Sequence, residues 1–248
     1  EREAIDLELL SVAQAVKASG GTVICQVEEI VPLHDIHPRM VKVPGMYIDY
    51  IVVAEHPEDI PQNFDRRKNL NYNPAFTGEK VVELSQENVR LPLNHIKVIA
   101  RRAAMELKKG DKVNFGIGMP TFVPSILAEE GVIGGVPGAG RDFGCHWNAE
   151  AFCDHGEHFS FFDGGNLDVG VFGLSEADRE GNMNTSHLNG KISGIGGFTD
   201  ISTMSKKVIF MGTFTAVGIE TEVRGGTIRI VREGKYKKFI GKCSRISF

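Results

Sequence analysis

The sequence lacks most of the features that would mark a specialised class. Its four cysteines, Cys25, Cys145, Cys153 and Cys243, are scattered and form no C-x-x-C pair. Reduced thiols, not a disulfide framework, are the default reading. No apolar run approaches the ~20 residues of a membrane-spanning helix. No N-terminal stretch has the charged-then-apolar pattern of a secretory signal. Positive charge is not in excess: 28 Lys and Arg stand against 32 Asp and Glu, a formal net charge of -4. That balance argues against a dedicated nucleic-acid binder. No internal repeat is visible at short period. These absences lead us to expect a soluble, cytoplasmic protein with no nucleic-acid and no membrane partner.

Glycine is what the sequence has in plenty. There are 29 in 248 residues, against an ordinary usage of about 7%. Nineteen of them lie between Gly110 and Gly197, alternating with strand-like runs, so the bias is not low complexity. Glycine serves where backbone turns left-handed or approaches a ligand closely. The middle of the chain is therefore the place to look for a site.

Periodicity outlines the elements. Ile5, Leu9, Val12, Ala13 and Val16 fall at helical spacing, and Ser19-Gly20-Gly21 stops that helix. Thr22 to Val27 reads as a strand, and Tyr47 to Ala54 as another, buried one. Pro57 to Arg90 is polar and rich in proline and asparagine, a linking stretch. Ile96, Ile99, Ala100, Ala103, Ala104 and Leu107 then form one apolar stripe, with Asn94 as N-cap and Gly110 as the C-terminal glycine. A strand at 112–116 and a helix at 120–130 follow, then strands at 167–174 and 207–214. Thr227 to Ile240 reads as a hairpin turning at Glu233-Gly234. Alternating helices and strands predict an α/β fold with an open, largely parallel sheet flanked by helices.

Each candidate motif has a plain reading beside the functional one. Asn114-Phe-Gly116-Ile-Gly118-Met-Pro120 lies between a strand and a helix, where open α/β sheets bind ligands. A dinucleotide fingerprint needs a third glycine where Thr121 stands, so the choice is between a tight turn and a loop touching phosphate or CoA. Glu129 and Glu130 precede a glycine-rich turn that includes Gly134 and Gly135. Glutamates closing a helix are usually just solvated, but a carboxylate beside free backbone N–H groups can act as a nucleophile. Gly164-Gly165 and Gly196-Gly197 are further glycine loops, whose plain reading is turn chemistry. His155 and His158 with Cys145 and Cys153 match no common zinc spacing, so no metal site is expected. Arg101-Arg102 and Lys206-Lys207 read as solvated charges.

Taken in order, these segments resemble the family I CoA-transferases of the long single-chain type. That group comprises short-chain acyl-CoA:acetate or propionate CoA-transferases, related to the succinyl-CoA:3-ketoacid enzymes. The resemblance is carried by Val113 to Pro120, Gly131 to Pro137, Phe162 to Gly165 with Leu167-Asp168, Gly181 to Asn184, Gly194 to Gly197 and Lys207 to Thr215, and it covers essentially the whole chain. It implies two similar α/β halves. Residues 1–75 are then the end of the first half, 76–90 the linker, and 91–248 a second half carrying the catalytic region, the whole being a fragment. The implied activity moves CoA between a short-chain acyl-CoA and a free acid such as acetate through a glutamyl-CoA thioester. CoA is then a substrate and covalent intermediate, with no cofactor, in a homo-oligomer. Gly116, Gly118, Gly134, Gly135, Gly164, Gly165, Gly196 and Gly197 become the CoA and oxyanion contacts. The alternatives are an acyl-CoA hydrolase on the same scaffold and a non-catalytic CoA-binding fragment.

One departure touches the chemistry. In the family a strand ending in the catalytic Glu-x-Gly separates the helix that ends Ala-Glu-Glu-Gly from the Val-Ile-Gly-Gly-Val-Pro run. Here Ala128-Glu129-Glu130-Gly131 runs directly into Val132-Ile133-Gly134-Gly135. Aligned from the left, Glu129 is a helix residue; aligned from the right, it is the nucleophile. Glu129 is the candidate for that role, and a break in the chain is expected near Gly131.

Overall fold

The computed structural model describes residues 8–56, 60, 73–82, 90–129, 135–138, 145–188 and 190–248. The chain forms two compact units, Glu1–Val82 with Gly134–His158, and Glu83–Ile133 with Phe159–Phe248. In chain order the first elements are α1 (Leu9–Ala18), β1 (Ile24–Val27), β2 (Tyr50–Val53), α2 (His95–Ala104), β3 (Val113–Phe115) and α3 (Val123–Glu129). Next come β4 (Val136–Pro137), β5 (His146–Trp147), α4 (His155–Asp163), β6 (Val169–Phe172), β7 (Glu176–Ala177), β8 (Met183–Asn184), β9 (His187–Leu188) and β10 (Lys191–Ile192). The last are α5 (Phe198–Met204), β11 (Lys207–Phe210), β12 (Thr215–Ala216), β13 (Glu220–Arg224), β14 (Thr227–Arg232) and β15 (Tyr236–Lys237).

In the first unit β1 and β2 pair in parallel, Ile24 opposite Tyr50. Asp49 ties their entry to α1: it accepts from Lys17 Nζ at 2.6 Å and from the Val23 amide at 2.8 Å. Tyr47 to Ala54 was expected to be buried; instead every residue of β2 is exposed. Its apolar, β-branched composition is that of a strand with both faces covered, and among the described residues the two-stranded pair has no such cover. A separate small core gathers Phe76, Cys145 and Trp147, with the two rings edge to face at 4.8 Å. Asn148 braces it by exchanging two hydrogen bonds with the Val82 backbone.

The second unit is built on a three-stranded parallel sheet in the order β11-β6-β3. Side chains alternate along β6, so its two faces take different cover. Val169 and Val171 join Ala100 and Ala103 of α2 and Val123 and Ile126 of α3 in the main core. Phe172 turns to the other side and meets Phe198 of α5 edge to face at 4.9 Å. Gly170 on that same side leaves no room for a Cβ, which would stand 2.6 Å from the Phe172 ring and 2.9 Å from Ser205 Oγ. Helices thus cover both faces of the sheet, as the alternating pattern predicts.

Two local expectations are corrected. The stripe from Ile96 to Leu107 begins as expected, with Asn94 Oδ1 accepting from the Lys97 amide at 3.0 Å. The helix ends at Ala104, however, and Gly110, at φ 90, serves a later turn into β3. The hairpin turns at Gly225-Gly226, not at Glu233-Gly234. Both glycines have positive φ, 55 and 75, which a tight two-residue hairpin turn demands. Gly234 lies against the Ala216 backbone, and β15 pairs with β12.

Candidate active site

Because β3, β6 and β11 are parallel, their carboxyl ends share one edge, the place where open α/β sheets bind ligands. A glycine follows each strand there. Gly116 comes directly after β3 and donates to Val171 O at 2.8 Å. A Cβ on it would stand 3.1 Å from that oxygen and 3.4 Å from the Phe172 ring, so a side chain there would crowd the neighbouring strand. Gly173 comes directly after β6, where a Cβ would lie 3.6 Å from Ile117 O. Gly212 follows β11, where a Cβ would lie 3.6 Å from Leu174 Cδ2 and 3.3 Å from Lys238 Nζ. The three loops therefore stand side by side. Gly118, at φ 87, turns the first of them into α3, and its carbonyl accepts from both the amide and the hydroxyl of the buried Thr121.

The other glycines expected in a site divide. Gly196, at φ 55, and Gly197 open α5. Phe198 packs on Phe172 at the carboxyl end of β6, while Ser205 lies against Gly170 nearer its start, so α5 runs back along the strand. This brings Gly196 and Gly197 to the same edge as Gly116 and Gly118. A side chain on Gly197 would overlap the Phe159 ring. Gly164 and Gly165 instead close α4 and lead into the amino end of β6. Their amides donate to Ser160 O and Phe162 O at 3.1 and 2.9 Å, and Asn166 Nδ2 donates to Phe161 O at 3.1 Å. Those N–H groups are thus already engaged in capping a helix. Gly118, Gly196 and Gly197 have N–H groups with no acceptor among the described residues.

Gly135 belongs to the first unit, next to β4, and Gly134 lies outside the described residues. Glu129 is the last residue of α3, roughly 9 Å along the helix axis from Val123 at 1.5 Å per residue. The expected break near Gly131 also lies outside the described residues. Among the described residues no group of three or more His, Cys, Asp or Glu is placed to hold a metal ion, and no helix is long and apolar enough to cross a membrane.

Beyond β6, the segment Gly181 to Asn184 forms a dense polar network. Asn184 is fully buried, donates to Glu176 Oε2 and His187 O at 2.7 Å each, and accepts from the amides of Ser186 and His187. Burial pushes the Glu176 carboxyl up, but hydrogen bonds from Ser244 and Asn184 outweigh it and leave it below its usual value. Lys238 carries no signal in the sequence, because a lysine in the run Lys235-Tyr-Lys-Lys238 reads as solvated. Only the fold reveals its place over Gly212, half-buried, where desolvation lowers its pKa.

No protein-family model matches the chain. The caffeate CoA-transferase of Acetobacterium woodii is 42% identical over 97% of this chain and 48% of its own length. The acetate CoA-transferase YdiF of Escherichia coli strain K12 is 38% identical over the whole chain and 48% of its own. That second alignment runs over 260 residues, more than the 248 present here, so the relative carries positions without a counterpart. The acetate CoA-transferase subunit beta of Haemophilus influenzae is 32% identical, with 70% of its length and 57% of this chain covered. The crystal structure of the acyl-CoA transferase YdiF from E. coli O157:H7 superposes with a TM-score of 0.82 at 36% identity, over all of this chain and 47% of that one. This chain thus spans about half the length of the first two of these relatives and of that solved chain. With that identity and that superposition added to the glycine-edged parallel sheet, the chain belongs to the CoA-transferase family.

Proposed function

We propose that the protein is a CoA-transferase, moving coenzyme A between a short-chain acyl-CoA and a free carboxylic acid such as acetate. The observation that carries this reading is the match of the entire chain, in sequence and fold, to an acyl-CoA transferase also solved as a thioester complex with CoA. In the proposed reaction a glutamate carboxylate attacks the acyl-CoA carbonyl, forming a mixed anhydride and releasing the CoA thiolate. The thiolate attacks the glutamyl carbonyl, the first acid leaves, and a glutamyl-CoA thioester remains. An acceptor carboxylate then reverses both steps. Exclusion of water conserves the thioester through the sequence.

Glu129 is the candidate nucleophile. The free N–H groups of Gly118, Gly196 and Gly197 at the carboxyl edge are the candidates for holding the oxyanion. CoA enters as substrate and covalent intermediate, with no metal or redox group assigned a step. Cytoplasmic location and a homo-oligomeric state complete the proposal.

The test pairs propionyl-CoA with isotope-labelled acetate and reads labelled acetyl-CoA by mass spectrometry. Transfer that requires acetate, with parallel double-reciprocal lines, is the expected result. CoA release at the same rate without acetate would make the protein a hydrolase, and intersecting lines would exclude the covalent route. Glu129→Gln is expected to abolish the CoA adduct on the protein. An adduct that persists in this variant places the nucleophile elsewhere.

A further inference from the structure

Several lysines among the described residues have a side-chain partner, at the surface as well as in the interior. Lys97 is only 7% exposed, and its Nζ donates to Leu91 O at 2.8 Å. Lys206 reaches Asp168 at 2.7 Å, with Lys112 beside it at 3.8 Å. Lys207 pairs with Glu106, and Lys17 with Asp49. Lys238 differs. It is half-buried, yet its ammonium has neither a carboxylate nor a carbonyl partner among the described residues. Its backbone is held on both sides: the amide donates to Phe214 O at 2.9 Å, and its carbonyl accepts from the Ala177 amide at 2.7 Å. That anchored stem delivers Nζ over Gly212, 3.3 Å from where a Cβ there would stand.

Withdrawing an ammonium from water without a counter-charge is costly, and an anion bound beside it offsets that cost. The position is the carboxyl edge of the parallel sheet, beside the loops of Gly116 and Gly173. We propose that Lys238 is the cationic end of the substrate site, its ammonium receiving an anionic oxygen of the substrate over Gly212. That oxygen belongs either to the carboxylate of the small acid or to a phosphate of CoA. The identification of the two sources rests on the CoA-transferase reading; the anion site itself does not. Burial holds the lysine's pKa below its ordinary value, and an arriving anion would restore the favourable environment of the charge.

Two measurements test it. Steady-state kinetics of Lys238→Met should show a KM raised at least tenfold for one substrate, the loss expected for a hydrogen bond to a charged group. A rise for acetate identifies the carboxylate, and a rise for the acyl-CoA identifies the phosphate. Lys238→Arg should retain most of the affinity. The second measurement needs no turnover and no folded Met variant. The protein is reductively methylated with an isotope label, and the Lys238 resonance is assigned by its loss in Lys238→Arg. Acetate or desulfo-CoA should shift that resonance. A shift in a protein without transferase activity keeps the anion site and discards the functional reading. Activity with no shift from either probe, and with both KM values unchanged in Lys238→Met, overturns the proposal.

Discussion

Asp178 shows how much a single carboxylate organises in this chain. It takes the Asn182 side chain at 3.0 Å, the Cys243 amide at 3.0 Å and the amides of Asn182 and Glu180, tying the C-terminal segment to the turn after β7. The Asn182 side chain, then the Cys243 amide, hold its pKa at about 2. An unfolded Asp titrates near 3.9, so the folded value is the lower one. The stabilisation is therefore complete above about pH 4 and lost as pH falls through 2. Urea midpoints of wild type and Asp178→Asn should differ at pH 5 and converge near pH 2. A gap that stays constant over this range would remove the carboxylate's charge from the explanation. Gly170 makes a complementary point about space. In Gly170→Ala the methyl group meets the Phe172 ring and Ser205 in the middle strand, with an expected loss of about 1–3 kcal/mol in urea unfolding.

At the scale of elements, α2 is the one most fully written into local sequence. Its cap residue, its apolar stripe and its first turn all depend on neighbours within four positions. Asn94→Ala should cost about 1 kcal/mol by denaturant midpoint, with the sheet intact by circular dichroism. Strands β3, β6 and β11 were legible for a similar reason: short apolar runs bounded by glycine leave little choice. The burial of β2 is not legible in the same way, because composition states what a strand could pack against, not which partner the fold brings to it. Helices α4 and α5 carry weak local signals. The first clusters Phe159, Phe161 and Phe162 without a helical stripe, and the second, Phe-Thr-Asp-Ile-Ser-Thr-Met, is rich in poor helix formers directly after a glycine loop. Within the site the same division holds. Glycines at strand ends can be read from sequence; which edge they occupy, and that Lys238 reaches one of them, depends on tertiary placement.

For the molecule as a whole, the exposed β1–β2 pair has consequences in solution. Ile51 is 54% and Val53 48% exposed, and the alternation of a strand sets both on one face. Open apolar sheet faces associate. Sedimentation velocity of this chain should show concentration-dependent self-association. The double substitution Ile51→Lys and Val53→Lys should weaken it while preserving the far-UV spectrum. Unchanged sedimentation would locate the contact elsewhere.

The allotment of chain to the two units matters in biosynthesis as well. Gly134–His158 belongs with Glu1–Val82, although Glu83–Ile133 lies between them and belongs to the other unit. A domain emerging from the ribosome normally folds as soon as its last residue is out. Here the first unit stays incomplete until His158 has been made, by which point part of the second is already exposed and waiting for β6 and β11. The two units must therefore mature over an overlapping stretch of synthesis, and no single cut in this chain would separate one from the other.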